Sequence, residues 1–258
     1  MKHITRHELN LWLEQTLQPH NFADYCPNGL QVEGNDEVRH ILCGVTASQA
    51  LLEEAVARGA DTVLVHHGWF WKNEDPRIQG IKKKRIAIAL QHNLNVLGYH
   101  LPLDAHPELG NNAQLAKVLG FTPDRDSEGK PLTCGPGNLV WLGKLETPQS
   151  LETLANAICK QLQREPLVVG NRQQTIERVA WCTGGAQGFM QAAVDAGVDL
   201  YLSGEASEPT YHLACETGTA FIGAGHHATE RYGVAALGQA IAQHFGIKVE
   251  FVDLDNPI

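Results

Sequence analysis

Two pairs of adjacent histidines carry the strongest chemical signal in this sequence. His66 and His67 follow the apolar run at residues 62–65, and His226 and His227 come shortly after the apolar run at residues 220–222. Short apolar runs rich in β-branched or aromatic residues are typical of buried strands, so both pairs are predicted near strand carboxyl ends. Imidazoles and carboxylates gathered at that edge of a sheet suit divalent metal ions. The sequence therefore predicts a metal centre.

Two carboxylates complete the predicted set of ligands. Asp104 follows His100 at the spacing at which Glu230 follows His226, so each half of the chain ends a strand with His-x-x-x-carboxylate. Three imidazoles and two carboxylates are enough for two ions about 4 Å apart, with one carboxylate bridging them. These donors do not choose among zinc, iron, manganese and nickel. The predicted ligands are His66, His67, Asp104, His226 and Glu230.

The neighbouring candidates leave alternatives open. Adjacent side chains on a regular strand point to opposite faces, so His66 and His67 can serve one site only if the strand ends at Val65 and the chain turns there. His100 and His227 are candidates for ligation, for proton transfer or for holding a ligand in place. Glu205 is a candidate for proton transfer, or it is a structural hydrogen-bond acceptor.

Strands and helices alternate in both halves, which is the pattern of an α/β fold. A helix over residues 4–18 opens the chain. The first half is then predicted to contain strands 41–45, 62–65 and 95–98 and helices 49–58 and 82–91. In the second half, strands 139–142 and 167–169 and helix 148–163 precede the repeated elements. The second half is predicted to contain strands 179–183, 200–203 and 220–222 and helices 187–195 and 208–217.

The two halves also match each other in sequence. When the second half is aligned with the first at an offset of 138 residues, Gly59 falls on Gly197 and Asp61 on Asp199. We therefore predict an internal duplication that gives two similar α/β/α units, residues 1–123 and 124–258, with the metal site in the cleft between them. The joint near residues 122–137 is rich in Pro and Gly and is predicted to be irregular.

Composition limits the partners. The formal net charge of −9 argues against a surface that binds a nucleic-acid backbone. The sequence contains no uncharged apolar window of about 18 residues, which predicts no membrane span. Charges near the start, in place of an apolar signal segment, predict a cytoplasmic protein. Six scattered cysteines without a CxxC pair predict free thiols rather than disulfides or a zinc ribbon.

Three further segments have a weaker functional interpretation beside a structural one. The basic run at residues 82–85 can meet a triphosphate or form a solvated helix face. The aromatic residues 69–71 can stack on a purine or pack in a core or interface. The glycine-rich residues 183–188 resemble a phosphate loop only loosely, because they lack the spacing of the established phosphate-binding motifs.

Several motifs together resemble those of the GTP cyclohydrolase I type 2 family, also called NIF-three-like. They are PNGLQVEG at residues 27–34, GVTAS at 44–48, HHG at 66–68, HLPLD at 100–104, GNN at 110–112 and GHxxxE at 225–230. The resemblance covers about residues 5–257, and the chain is similar to the compact members without an extra central domain. It implies that the five predicted ligands fall on the family's dinuclear metal ligands and that the protein assembles as a ring-shaped homohexamer.

The resemblance implies an activity as well: hydrolytic opening of the imidazole ring of GTP, with release of formate. A metal ion activates water for such hydrolysis, and the expected substrate is a small molecule, a nucleotide. Two alternatives stay open. One is hydrolysis of a phosphate ester or a damaged nucleotide, and the other is a non-catalytic metal-binding scaffold whose ring serves a partner.

Overall fold

The computed structural model describes residues 2–258, which form two compact units. The first unit contains the chain up to Gly110 together with Gly233–Asp255, and the second contains Asn111–Tyr232 together with Asn256–Ile258. These units differ from the predicted residues 1–123 and 124–258. The helix that begins at Asn111 belongs to the second unit, and the chain returns to the first after Tyr232.

Both units contain α-helices, and short 3₁₀ turns lie at Pro19–Asn21, Pro136–Asn138 and Gln187–Phe189. The helices are α1 Arg6–Leu17, α2 Gln49–Ala57, α3 Gly80–Gln91, α4 Leu101–Ala105, α5 Asn111–Leu119, α6 Leu151–Leu162, α7 Met190–Asp195, α8 Glu208–Thr217 and α9 His226–Phe245. The strands are β1 Ile4–Thr5, β2 Gly29–Val32, β3 Glu37–Val38, β4 His40–Thr46, β5 Thr62–His67, β6 Asn95–Gly98, β7 Phe121–Pro123, β8 Thr133–Cys134, β9 Val140–Ser150, β10 Leu167–Val169, β11 Thr175–Cys182, β12 Leu200–Ser203, β13 Ala220–Gly223 and β14 Lys248–Phe251.

The first unit is built on a five-stranded sheet in the order β14-β4-β5-β6-β2. Strands β14, β4, β5 and β6 are parallel, whereas β2 pairs antiparallel with β6. Alternate residues of β4 pack into different hydrophobic clusters: Ile41 and Cys43 into one, and Leu42 into the other. The sheet is therefore covered on both faces, which explains the continuous apolar runs of its parallel strands.

Strand β5 is longer than the sequence predicted. It continues past Val65 through His66 and His67, and His67 pairs with Thr46 of β4. The strand therefore does not end at Val65, which was the condition under which the sequence predicted that both histidines could serve one site. Ladder pairing to a neighbouring strand extends β5 where the side chains alone signal no strand.

The second unit is built on a sheet in the order β10-β13-β12-β11-β9-β7, and β8 also pairs with β9. Strands β11, β12 and β13 are parallel, and the flanking strands are antiparallel. The joint predicted as irregular is partly paired into this sheet: β7 and β8 lie within it and Arg125 bridges Pro131, while the residues between them form turns. Pairing with the long strand β9 makes β7 and β8 regular, although the Pro and Gly content of this segment predicts an irregular chain.

Hydrogen bonds of two aspartates agree with the predicted duplication. Asp61 Oδ2 accepts from the backbone N–H groups of residues 39 and 40, at 2.8 and 3.2 Å. Asp199 Oδ2 accepts from those of residues 177 and 178, at 2.9 and 2.8 Å. The backbone continues the match, since the carbonyl groups of Asp61 and Asp199 accept from the N–H groups of Asn95 and Ala220, both at 2.9 Å. Both units thus share one frame at the amino ends of their parallel strands.

Equivalent glycines close the helix that precedes each of these aspartates. Gly59 has φ of 68° and Gly197 has φ of 69°, a left-handed conformation that glycine adopts without a steric penalty. None of the helices within residues 2–258 combines the length and the apolarity that crossing a bilayer requires.

Candidate metal centre

His66 and His67 bring two imidazoles together at the carboxyl end of β5. Their ring centroids are 4.4 Å apart, and the ring planes are inclined by 43°. The His66 side chain is fully buried, whereas His67 is half-buried. The alternation expected of a regular strand therefore does not separate the two rings, and both can offer nitrogen to one region.

The Nδ1 atom of each of these rings is held by a neighbouring strand or loop. His66 Nδ1 lies 3.0 Å from the carbonyl oxygen of Tyr99, and His67 Nδ1 lies 3.2 Å from Thr46 Oγ1. A carbonyl oxygen only accepts, so His66 must donate through Nδ1 and carry its lone pair on Nε2. That Nε2 lies 3.4 Å from Asp104 Oδ1. An imidazole and a buried carboxylate thus meet in the arrangement of two metal ligands.

Asp104 reaches this position from the short helix α4. Pro102 lies in the first turn of that helix, where its missing N–H costs no hydrogen bond. The Asp104 amide donates to the carbonyl of His100 at 3.1 Å, and the residue is only 7% exposed. The sequence Leu101–Ala105 therefore turns immediately after β6 and places the carboxylate next to the end of the sheet.

His100 lies beside the histidine pair. Its ring centroid is 5.2 Å from that of His66 and 5.8 Å from that of His67. One donor atom from each of the three imidazoles lies within 4.8 Å of the others, so the three residues can hold a metal ion. His100 Nδ1 is engaged by Asp24 Oδ1 at 2.8 Å, so Nε2 is the other ring nitrogen with which His100 can bind a metal ion.

Asp24 is a residue of this site that the sequence analysis missed. Its carboxylate also accepts from Asn28 Nδ2 at 2.9 Å and from the Leu101 amide at 3.0 Å. Burial raises the pKa of Asp24, but the hydrogen bonds from His100 and Asn28 outweigh burial and lower the pKa to about 2. The available signal was weak: an acid four residues before the Asn of an Asn-Gly turn.

The second unit brings together His226 and Glu230 on the first turns of α9. His226 Nε2 lies 3.1 Å from Glu230 Oε2, and His226 Nδ1 lies 2.6 Å from Glu205 Oε1. The Glu230 residue is only 2% exposed. Burial lowers the pKa of His226, but Glu230 and Glu205 raise it to about 9. In the absence of metal this imidazole is therefore positively charged at neutral pH.

The glycine-rich residues 183–188 serve this cluster through their lack of side chains. Gly184 has φ of 67°, and a Cβ atom there would lie 2.0 Å from Glu230 Oε1 and 3.2 Å from His226 Nε2. Its N–H donates to Thr229 Oγ1 at 3.0 Å. Gly184 thus lets the loop approach the Glu230 carboxylate closely, which is a structural reason for glycine that needs no phosphate.

The other predicted candidates differ in what surrounds them. Glu205 accepts a hydrogen bond from His226 Nδ1 and so orients the ring. His227 is buried in the second unit, and its amide donates to the Ile258 carbonyl at 2.9 Å. Trp69 is buried and donates through Nε1 to the Ala47 carbonyl, which favours the packing interpretation. Trp71 is half-buried, with its ring centroid 5.0 Å from that of His100.

The basic run is mostly a solvated helix face. Lys83 and Lys84 of α3 are exposed. Lys82 lies 5.4 Å from the centroid of the Phe70 ring and pairs with Glu74 at 3.3 Å. These contacts account for the run without a triphosphate ligand.

Comparison with known proteins finds homologues that match this chain over most of its length. The family model of Duf34/NIF3 (NGG1p interacting factor 3) matches residues 4–257. A protein of Neisseria meningitidis serogroup B is 56% identical over 246 residues, which covers 95% of this chain and 96% of that protein. A protein of Pseudomonas aeruginosa is 53% identical over 245 residues, which covers 95% of each. Both are named GTP cyclohydrolase 1 type 2 homolog.

Solved structures agree with the fold. A protein called ybgI, described as of unknown function, superposes with a TM-score of 0.91 at 47% identity, over 99% of this chain and 100% of the other. TTHA1606 from Thermus thermophilus superposes with a TM-score of 0.86 at 32% identity, with the same coverage. Buried His, Asp and Glu groups that can hold metal thus lie in a fold shared with close relatives, and the chain belongs to the Duf34/NIF3 family.

Proposed function

We propose that this protein is a dinuclear, divalent-metal-dependent hydrolase that acts on a nucleotide, with opening of the GTP imidazole ring and release of formate as the candidate reaction. One observation carries the metal assignment: His66, His67 and His226 all engage Nδ1 with a protein oxygen. This pattern presents Nε2 as the ligand atom and is the usual way in which proteins orient metal-binding histidines.

The proposed ligands divide between the units. The first unit contributes His66, His67 and Asp104, and the second contributes His226 and Glu230. We propose that they meet in one centre, because neither set alone fills the coordination of two ions. The fit is chemical as well: Asp104 and Glu230 are buried carboxylates that lie next to imidazoles, and carboxylate oxygens and imidazole nitrogens are ligands of divalent transition metals. Glu230 is the proposed bridge, since a carboxylate has two ligand oxygens.

The surrounding residues of the first unit support a planar substrate. Divalent ions, when bound, polarise water and substrate oxygens for hydrolysis. His100, oriented by Asp24 through Nδ1, offers Nε2 as the proposed proton-transfer atom. Trp71 stands with its ring at 83° to that of His100 and presents an aromatic wall for a heterocyclic base. Glu205 and His227 remain less direct candidates for proton transfer, the former because it already orients His226.

Two alternatives share the same residues and keep their place as outcomes of one experiment. Two-metal sites also favour displacement at phosphorus, which would make the protein a phosphate-ester or damaged-nucleotide hydrolase. A non-catalytic scaffold would bind metal without turnover. For each reading we propose assembly as a homohexameric ring, which the family resemblance implies.

The test uses protein reconstituted separately with zinc, manganese, iron and nickel and supplied with GTP. Formate and inorganic phosphate are measured in parallel, with an Asp104→Ala variant as the control for the metal site. Formate release that Asp104→Ala abolishes supports the cyclohydrolase, and phosphate release with the same dependence supports the alternative enzyme. Full metal content without either product contradicts the hydrolase and leaves the scaffold.

A further inference from the structure

A cavity of about 460 Å³ opens in the first unit at the amino ends of its parallel strands. Five of its lining residues have basic side chains: Arg39, His40, Arg58, His92 and Lys248. His40 begins β4 and Lys248 begins β14, so the cavity lies at the opposite ends of the strands from the histidine pair that closes β5. It is therefore separate from the candidate ligands of the first unit.

The charged side chains that line the cavity are mostly basic, which is unusual for this acidic chain. The sequence has 29 acidic and 20 basic residues, yet the lining joins three Lys or Arg residues with a single carboxylate, that of Asp61. The Asp61 oxygens are occupied by accepting from the amides of residues 39 and 40 and from Thr62 Oγ1. The Lys and Arg side chains are the charged groups of the lining that remain to face a ligand, and each is also paired with a carboxylate outside the lining: Arg39 with Glu37, Arg58 with Glu54 and Lys248 with Glu250.

Carboxylates outside the lining hold these cations in place. Glu250 lies 2.7 Å from His40 Nε2, 2.7 Å from Lys248 Nζ and 3.5 Å from Arg58 Nη1. The His40 side chain is only 6% exposed and anchors this group, whereas Arg58 and Lys248 are 40% and 51% exposed. Ion pairs that water reaches are weak. A phosphate group, which binds guanidinium through two parallel hydrogen bonds, can therefore compete for these cations.

The second unit shows that the fold does not require these basic residues. Its Asp199 repeats the hydrogen bonds of Asp61, so Glu177 stands where the first unit has Arg39. The same alignment places Ala196 opposite Arg58. The amide that donates to the carbonyl of the aspartate is that of Asn95 in the first unit and that of Ala220 in the second, which places Thr217 opposite His92. The frame thus carries Arg39, Arg58 and His92 in the first unit but acidic or neutral residues at those three positions in the second, whereas Arg178 takes the place of His40.

We propose that this cavity of the first unit binds a small organic phosphate. The cations recognise the phosphate, and the apolar Val56 and Leu94 on the same lining contact the organic part. The volume lies in the range of ligand sites and exceeds what a phosphate ion alone needs. This site does not depend on the proposed hydrolase, because none of the candidate metal ligands lines it.

The test is isothermal titration of the full-length, metal-loaded protein with adenosine monophosphate at low ionic strength. The variant Arg39→Glu copies the second unit, and Lys84→Glu on the exposed face of α3 changes the net charge equally at a distance from the cavity. We expect saturable binding to the wild type, a loss of about tenfold or more in affinity for Arg39→Glu, and wild-type affinity for Lys84→Glu. If both variants keep the wild-type affinity, the nucleotide binds elsewhere, for example at the metal centre, and the cavity is not its site.

Two further results overturn the proposal. One is the absence of saturable binding by wild-type protein up to about 10 mM, which corresponds to a negligible affinity. The other is an equal loss of affinity in Arg39→Glu and Lys84→Glu, which would show general charge attraction. The milder variant Arg39→Gln, checked for an unchanged melting temperature, guards against a folding defect, and it too must weaken binding.

Discussion

The two units have the same backbone frame but place different chemistry on it. In the alignment that joins Asp61 to Asp199, the positions of His66 and His67 correspond to Gly204 and Glu205. The first unit therefore ends its second parallel strand with two imidazoles, whereas the second has a glycine and a carboxylate that orients His226. The comparison teaches that the duplicated frame supplies positions, and that divergence at those positions decides whether a unit places two imidazoles there or a carboxylate that orients an imidazole.

A second correspondence lies one strand further along. His100 precedes Asp104 in the first unit, and His226 precedes Glu230 in the second, with the same spacing. Each of these histidines has its Nδ1 engaged by a carboxylate, Asp24 for His100 and Glu205 for His226. The carboxylates come from unrelated places in the two halves, so the same orientation of imidazole is reached by separate routes.

The largest effect is expected from Glu230→Gln. The change keeps the shape of the side chain but removes the charge that is proposed to bridge both ions. Both metals should be lost together, and hydrolysis should be abolished. Elemental analysis of Glu230→Gln beside Glu208→Gln, an exposed control on α8, checks this expectation. Full metal content in Glu230→Gln would contradict the bridging role.

Gly184→Ala should disturb the second unit's half of the comparison. The new Cβ would stand 2.0 Å from Glu230 Oε1 on a backbone with φ of 67°. We expect a loss of about 1–3 kcal/mol in the free energy of unfolding and weaker metal binding, because the carboxylate must move. Gly188→Ala is the matched control, since open space surrounds that position. Equal denaturation curves for the two variants would show that Gly184 is not a constrained position.

Metal binding should release a proton from His226. The pKa of this imidazole is raised to about 9, and only the neutral ring ligates. Affinity should therefore rise about tenfold per pH unit from pH 7 to 9 on account of this group and then level off. In the metal-free protein, the raised pKa of His226 stabilises the fold below the ordinary imidazole pKa of about 6.5, and this contribution is lost as the pH rises through about 9.

Calorimetry in buffers with different ionisation enthalpies measures the released protons directly. Glu205→Gln removes one carboxylate that raises the pKa of His226, so it should reduce the proton release at pH 7. Proton release at pH 7 that is unchanged in Glu205→Gln would contradict the role assigned to this pair.

The smallest effect is expected from Asp24→Asn. The variant keeps a hydrogen-bonding side chain beside His100 but loses the negative charge that orients and polarises the imidazole. Metal content should be retained, while turnover falls by about tenfold to a hundredfold, as for the loss of a proton-transfer group. Asp36→Asn, at an exposed position, is the control. Loss of metal in Asp24→Asn would show instead that His100 is a ligand.

Much of the fold could be predicted where breakers bound the elements. Strands 95–98 and 200–203 and helix 208–217 begin and end at the predicted residues. The helix predicted to begin at Pro148 begins instead at Leu151, because β9 continues through Ser150, whose side chain caps the helix by accepting from the Thr153 amide. Cross-strand pairing decided this boundary, and no local pattern records it.

The candidate site could be predicted only in its donors. The histidines and carboxylates were recognisable because their residue types and spacing recur in both halves. Asp24 and the Tyr99 carbonyl were not, because the bonds of Asp24 to His100 and of Tyr99 to His66 join residues far apart in the chain. Orientation of a ligand is a tertiary property, and a backbone carbonyl leaves no trace in a sequence.

The most direct measurement of the central claim is a crystal structure of metal-loaded protein with anomalous diffraction data at the metal edge. The proposed centre predicts two anomalous peaks about 4 Å apart, each bonded to imidazole through Nε2, with Glu230 touching both. Ligands should come from both units: His66, His67 and Asp104 from the first, and His226 and Glu230 from the second. A single peak bound by one unit alone, or imidazoles that ligate through Nδ1, would contradict it.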